Sequence, residues 1–267
     1  MALFSNKSPL KRKLEYHYRY FDKGQISPDP LEFLHKYSDS RDIEVMGLIA
    51  SVFAYGRVEQ INTTLSRINE IIYPHPYNFV INYDHKKDSR LFENIKHRFY
   101  TSQDAALLFY ILNKVYLNYD SLKGLFLLYY FETEKNLKES VSFFSRNLIN
   151  LARQITMDFK VTPGLEFMFP DPLKGSACKR MNLFLRWMVR QDELDFGLWS
   201  EIPKNKLVIP VDTHVARICK ELGLTSRSNV SWAMAEEITE NLKTFDSVDP
   251  VKYDFAICHI GMRKMQF

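Results

Sequence analysis

Cysteine, glycine and long apolar runs are all scarce in this chain, and each scarcity excludes something. Three cysteines among 267 residues, Cys178, Cys219 and Cys258, stand far apart. They offer no disulfide framework and, with no secretory leader, point to a reducing compartment and a cytoplasmic location. Only nine glycines occur, so the turn-rich pattern of many short strands has little support. The longest apolar runs, 105–112 and 125–131, stop well short of the ~20 residues that span a bilayer, and no membrane partner is expected. His75, His85, His97 and His259 lack metal-ligand spacing, so no metal is expected either. Neither a repeat nor a low-complexity tract is present. Charge is not extreme: a net +4 and a pI near 8.8 form a mild basic excess compatible with nucleic acid and with much else.

What the chain does have is hydrophobic content, 46%, arranged with a period near 3.6. Helices are predicted over 11–21, 30–37, 42–54, 58–72, 103–117, 121–131, 140–159, 179–190, 213–222, 231–243 and 250–261, an all-α fold. In 42–54 the apolar residues Val45, Leu48, Ile49, Val52 and Phe53 trace one face. Proline-bearing connectors, Tyr73-Pro74-His75-Pro76 and Phe169-Pro170-Asp171-Pro172, separate helices, and the polar stretch 191–207 reads as an inserted loop. Tyr16, His17, Tyr18 and Tyr20 beside Lys11-Arg12-Lys13 suit either a phosphate contact or an amphipathic helix with a solvated basic end.

Two segments carry chemistry. Val211-Asp212-Thr213-His214-Val215 places a carboxylate at the mouth of a helix bracketed by Pro210 and Gly223. Lys174-Gly175-Ser176-Ala177-Cys178-Lys179-Arg180 delivers a lysine, through a glycine turn, to the start of another. Alone, Asp212 is most simply an N-cap and Lys179 a solvated surface charge; together they would make a reactive pair. His214 reads as a structural hydrogen-bonding residue.

These motifs resemble the helix-hairpin-helix DNA glycosylases, the superfamily of endonuclease III and the 8-oxoguanine glycosylases, in which a Gly-Val-Gly-x-Lys hairpin supplies a nucleophilic lysine and Val-Asp-x-His the catalytic aspartate. The matching positions are Lys179 and Asp212, and their spacing is similar to that of the archaeal 8-oxoguanine branch. The whole chain also resembles an uncharacterised bacterial family marked by Ala54-Tyr55-Gly56-Arg57, the 175–180 segment and Asp249-Pro250-Val251-Lys252-Tyr253-Asp254-Phe255. Two departures are plain: Ala177 stands where the second hairpin glycine would be, and no four clustered cysteines exist to hold the iron–sulfur cluster of the endonuclease III branch.

The resemblance implies two helical domains, 43–190 as a barrel ending in the hairpin and 1–42 plus 191–267 as the second, with the hairpin and the Lys179–Asp212 pair at the cleft between them. It implies a monomeric DNA base-excision glycosylase with associated AP lyase activity, acting on double-stranded DNA that carries a damaged base, most plausibly an oxidised purine such as 8-oxoguanine, without a cofactor. Asp212 would stabilise the oxocarbenium ion, and Lys179, its pKa lowered by burial and by neighbouring Arg180, would attack the anomeric carbon. Gly175, Ser176, Ala177 and Arg180 would hold a phosphate. Tyr55 or Arg57 would wedge into the stack, the alternative being Tyr55 in the core and Arg57 as a surface charge. Asp254, Phe255 and Cys258 would face the base, Cys258 standing where the archaeal branch has a tryptophan, with Trp187 or Trp199 as substitute stacking faces. The competing hypothesis is a non-catalytic helical DNA-binding or interaction protein that keeps the hairpin for phosphate alone.

Overall fold

The computed structural model describes residues 7–156 and 158–262. The protein is all-α: among the described residues there is no strand, only isolated bridges at His97–Tyr100 and Gln191–Phe196. No described helix is long and apolar enough to cross a membrane. The chain forms two compact units, one of residues 27–134 and 138–173, the other of 1–26, 135–137 and 174–267. The expected boundaries at 43 and 190 therefore move. Residues 174–190 group with the C-terminal helices, so the hairpin lysine and the aspartate share one unit.

The unit of 27–134 and 138–173 is built round the helix Ser40–Phe53, whose Asp39 cap accepts from the Arg41 and Asp42 amides. Every residue from Asp42 to Phe53 is buried, so the single apolar face expected here is instead a helix covered all round. Its two acids are satisfied by capping neighbours. Asp42 Oδ1 accepts from Tyr77 N at 2.7 Å at the start of Pro76–Asn82, and Glu44 accepts from the Tyr116 hydroxyl at 2.7 Å and from the Leu122 and Lys123 amides. Thr101 and Asp104 form a capping box at the start of Ser102–Tyr119. The predicted helix 140–159 stops early: Lys138–Ala152 tightens into a 3₁₀ turn at Arg153–Ile155, and Thr156 is extended.

The other unit contains the helices Lys7–Tyr20, Lys179–Val189, Thr213–Glu221, Trp232–Lys243 and Asp254–Met262. The last packs against both Thr213–Glu221 and Lys7–Tyr20. All three tryptophans of the chain, Trp187, Trp199 and Trp232, are buried here, with Phe184 edge-on to Trp199 at 5.2 Å. The 191–207 stretch is not a polar surface loop. Leu194, Trp199, Ile202 and Leu207 are buried, and the Phe196 and Trp199 amides donate to the Trp187 and Met188 carbonyls, tying the stretch to the end of the Lys179 helix. Its apolar residues follow no fixed period, which is why periodicity missed them.

Candidate active site around Lys179 and Asp212

A tight turn delivers Lys179. Gly175 is exposed with φ +87°, and Cys178 adopts a left-handed conformation with φ +48° at the N-cap. The Gly175 carbonyl accepts from Trp232 N at 3.2 Å, Cys178 N donates to Ser176 Oγ, and Asn182 Nδ2 donates to the Ala177 carbonyl. Only glycine meets the φ at 175 without strain. Ala177, at the second hairpin glycine of the resemblance, is buried.

Asp212 begins its helix in extended conformation, and its two oxygens divide the work. Oδ1 accepts from the His214 and Val215 amides, both at 2.9 Å, while Oδ2 accepts from Lys179 Nζ at 2.6 Å. Capping and pairing thus coexist in one carboxylate. Both side chains are about one-third exposed (28% and 35%), so the pair is open to a ligand while shielded enough for its charges to matter.

The electrostatics differ from expectation. Burial pulls the Lys179 pKa down, but Asp212, with Cys258 and Asp254 adding, outweighs burial and holds it above the ordinary lysine value. Burial likewise raises Asp212, yet Lys179 and the helix amides bring it below the usual carboxylate range. The resting state is ammonium and carboxylate. Arg180, expected to add like charge and to hold phosphate, is buried instead.

Behind the pair lies a cluster of buried charges that sequence reasoning did not find. Arg186 Nη1 donates to Asp254 Oδ2 at 2.5 Å and Arg186 Nη2 to Asp195 Oδ1 at 3.2 Å. Arg190 pairs with Asp195, Asp192 and Asp249. Burial pushes Asp254 up to about 6 against the pull of Arg186 and Lys179. The spacing of Arg186 and Arg190 on one helix face is the only signal the sequence carries for this cluster; their partners lie on other segments.

The proposed base-contacting residues are accordingly corrected. Asp254 is consumed by Arg186, and Phe255 is buried against Phe21 (5.4 Å) and stacked on His259 (3.8 Å). Neither offers a face to a base. Cys258, half-buried, is near enough to Lys179 to act on its charge. Trp187 and Trp199 are core. In the other unit, the Tyr55 hydroxyl donates to the His97 carbonyl at 2.6 Å and accepts from Phe99 N, and the Tyr55 ring meets His97, Tyr100 and Phe167 edge-on. Those contacts hold it as a packing residue, not a wedge, whereas Arg57 is exposed. His214, expected to be hydrogen-bonded, has Nε2 buried without a partner. Among the described residues no cluster of three metal-ligating side chains occurs.

Residues 29–263 match the family model described as a protein of unknown function (DUF2400). This overturns the assignment to the helix-hairpin-helix glycosylases and their archaeal branch, because the family match that spans the chain is to another family and carries no glycosylase assignment. The signals behind that assignment were short, and a glycine turn and an Asp-capped helix recur wherever helices begin. Neither a curated protein nor a solved structure matches the chain.

Proposed function

The chain belongs to this DUF2400 family of unknown function, and from that premise we propose that it is a lysine-dependent DNA base-excision enzyme, releasing a damaged base and cleaving the strand through a Schiff base. The observation that carries this reading is the 2.6 Å contact between Lys179 and Asp212 at the starts of two helices, partly open to solvent. An amine and a carboxylate so placed suit a sugar whose anomeric carbon becomes cationic as its base departs.

In this mechanism the C1′–N electron pair leaves with the base, which takes the proton that Lys179 sheds. The freed amine pair closes on C1′, while Asp212 stays anionic and offsets the oxocarbenium charge. Transfer of one amine proton to O4′ opens the sugar ring and leaves an iminium ion; loss of the C2′ proton to water then drives β-elimination, the C3′–O bond breaking as the 3′ phosphate leaves. Because the proton departs with the base, the raised pKa of Lys179 is consistent with a charged resting lysine. The exposed Gly175 turn would hold a phosphate through backbone amides. No cofactor enters these steps, and a monomer acting in the cytoplasm suffices. The burial of Asp254 and Phe255 removes the specific support for an oxidised purine, so the class of lesion stays open in this proposal.

A second reading, a non-catalytic DNA-binding protein, is favoured by the full engagement of Asp212 as cap and counter-ion. A panel of duplexes, each with one lesion or an abasic site, separates the two. Wild-type protein should cleave at least one member of the panel and Lys179→Ala none; binding without cleavage by the wild type would leave the second reading standing.

A further inference from the structure

The helix Lys7–Tyr20 carries a face that the Lys179 chemistry does not use. Lys11, Arg12, Glu15, Tyr16, Arg19 and Tyr20 line a shallow groove along it. Arg12, Tyr16, Arg19 and Tyr20 recur at i, i+4, i+7 and i+8, a single helical face. Tyr16 is 65% exposed and Tyr20 44%, and their rings lie 6.5 Å apart, nearly parallel at 23°. Among the described residues Lys11, Arg12, Lys13 and Arg19 make no ion pair. Glu15, the one acid in the stretch 7–20, is drawn away by Lys252 at 2.9 Å and by the Tyr253 hydroxyl at 2.5 Å. Three basic side chains, Lys11, Arg12 and Arg19, therefore line a groove with two open rings, and Glu15, the only acid there, spends most of its charge on Lys252 while also attracting Arg19.

We infer that this face binds single-stranded nucleic acid, Lys11, Arg12 and Arg19 meeting phosphates while Tyr16 and Tyr20 stack on unpaired bases. Each component selects the occupant. Phosphate supplies the missing negative charge. Exposed rings gain most from flat apolar faces, which unpaired bases present and a duplex hides. An anionic lipid surface would answer the cations but gives the paired rings no stacking partner. The inference does not depend on the chemistry proposed for Lys179.

Fluorescence anisotropy on the full chain tests it, with a labelled oligothymidylate of about twenty nucleotides, longer than a single-strand site needs, and a duplex of equal length. Wild type should bind the single strand with an affinity that falls as salt rises. Tyr16→Ala/Tyr20→Ala should weaken that binding by roughly fivefold or more per ring and leave duplex binding nearly unchanged. Tyr16→Phe/Tyr20→Phe should bind as wild type does, because stacking needs the ring and not the hydroxyl. Lys11→Glu/Arg12→Glu should weaken both ligands. Lys179→Ala should keep wild-type affinity for oligothymidylate, so that a failure of the catalytic proposal stays distinguishable. Because both rings are exposed, circular dichroism of the alanine variant should match wild type. The inference is overturned if wild type does not bind oligothymidylate, if the alanine variant binds it equally well, if the phenylalanine variant loses as much as the alanine one, or if wild type instead sediments with phosphatidylserine vesicles in preference to the oligonucleotide.

Discussion

Replacing Arg186 by methionine would strip the guanidinium from the middle of the buried charge cluster and leave its carboxylates behind. Arg186 is 3% exposed, Asp254 5% and Asp195 1%, so water cannot take the place of the missing partner. Asp195 keeps Arg190, but Asp254 loses its direct ion pair. Breaking a buried pair by removing one member costs about 3–5 kcal/mol, a large share of the roughly 5–15 kcal/mol by which domains are stable. The loss carries a pH signature. Asp254 is pushed up to about 6 in the folded protein, first by burial and against the pull of Arg186, from about 3.9 when unfolded. A raised carboxyl pKa means that the folded state favours the protonated form. Its penalty is absent below about pH 4, grows as pH rises, and reaches about 3 kcal/mol above the folded value. Without Arg186 the folded value climbs further, so the deficit of Arg186→Met should be largest near pH 8 and shrink toward pH 5. Urea unfolding followed by tryptophan fluorescence reads this unit, since Trp187, Trp199 and Trp232 all lie within it. Arg186→Met/Asp254→Asn, which removes the stranded charge, should recover much of the loss and supplies a folded comparison if the single variant does not fold. A single variant as stable as wild type near pH 8, a deficit equal at both pH values, or no recovery in the double variant would refute the reasoning.

Asp212→Asn keeps the cap, since asparagine caps as well as aspartate, and should lose only what the Lys179 ion pair contributes, whereas Asp212→Ala should lose a further ~0.5–2 kcal/mol with the cap; thermal unfolding compares them. With Asp212 uncharged, burial acts on Lys179 with less opposition, and its pKa should fall, read as faster amine modification at neutral pH; an unchanged profile would mean that Asp212 does not set the charge of Lys179. The Lys179–Asp212 pair itself should contribute fully between the usual carboxylate and the usual lysine values, and fade in acid as pH falls from the usual carboxylate value through the lowered Asp212 value, or in alkali as it rises from the usual lysine value through the raised Lys179 value. Gly175→Ala meets no neighbour within 4 Å of the added carbon, so it should cost only the roughly 1–2 kcal/mol of left-handed backbone strain and weaken damaged and undamaged duplex alike; loss of lesion discrimination alone would place Gly175 at the base.

Local features were legible in the sequence, and long-range partnerships were not. The helix 58–72 appears with the bounds its period implies, and Asp212 and Lys179 occupy the two helix starts that Pro210 and the Gly175 turn announce. The short helix Pro163–Met168 went unseen, since six residues complete too little of a helical period to register. Nothing local in the sequence marks Arg186 as paired, because its partner Asp254 lies 68 residues away. The same distance hid the burial of Asp254 and Phe255, which made them look available to a base. The charge of Lys179 could not be read because it depends on which of burial and Asp212 prevails, and that is decided by a 2.6 Å contact.

The central claim is that the Lys179 amine forms a covalent bond to DNA. Borohydride reduces an imine to a stable amine, so incubating the protein with lesion-bearing or abasic duplex in its presence should yield a cross-linked species, and peptide mass spectrometry should place the adduct on Lys179. Lys179→Ala should yield none, and Asp212→Asn should trap abasic DNA but little of the duplex whose base must first leave. Undiminished trapping by Lys179→Ala, an adduct on another residue, or no trapped species from wild type on any duplex would contradict the account.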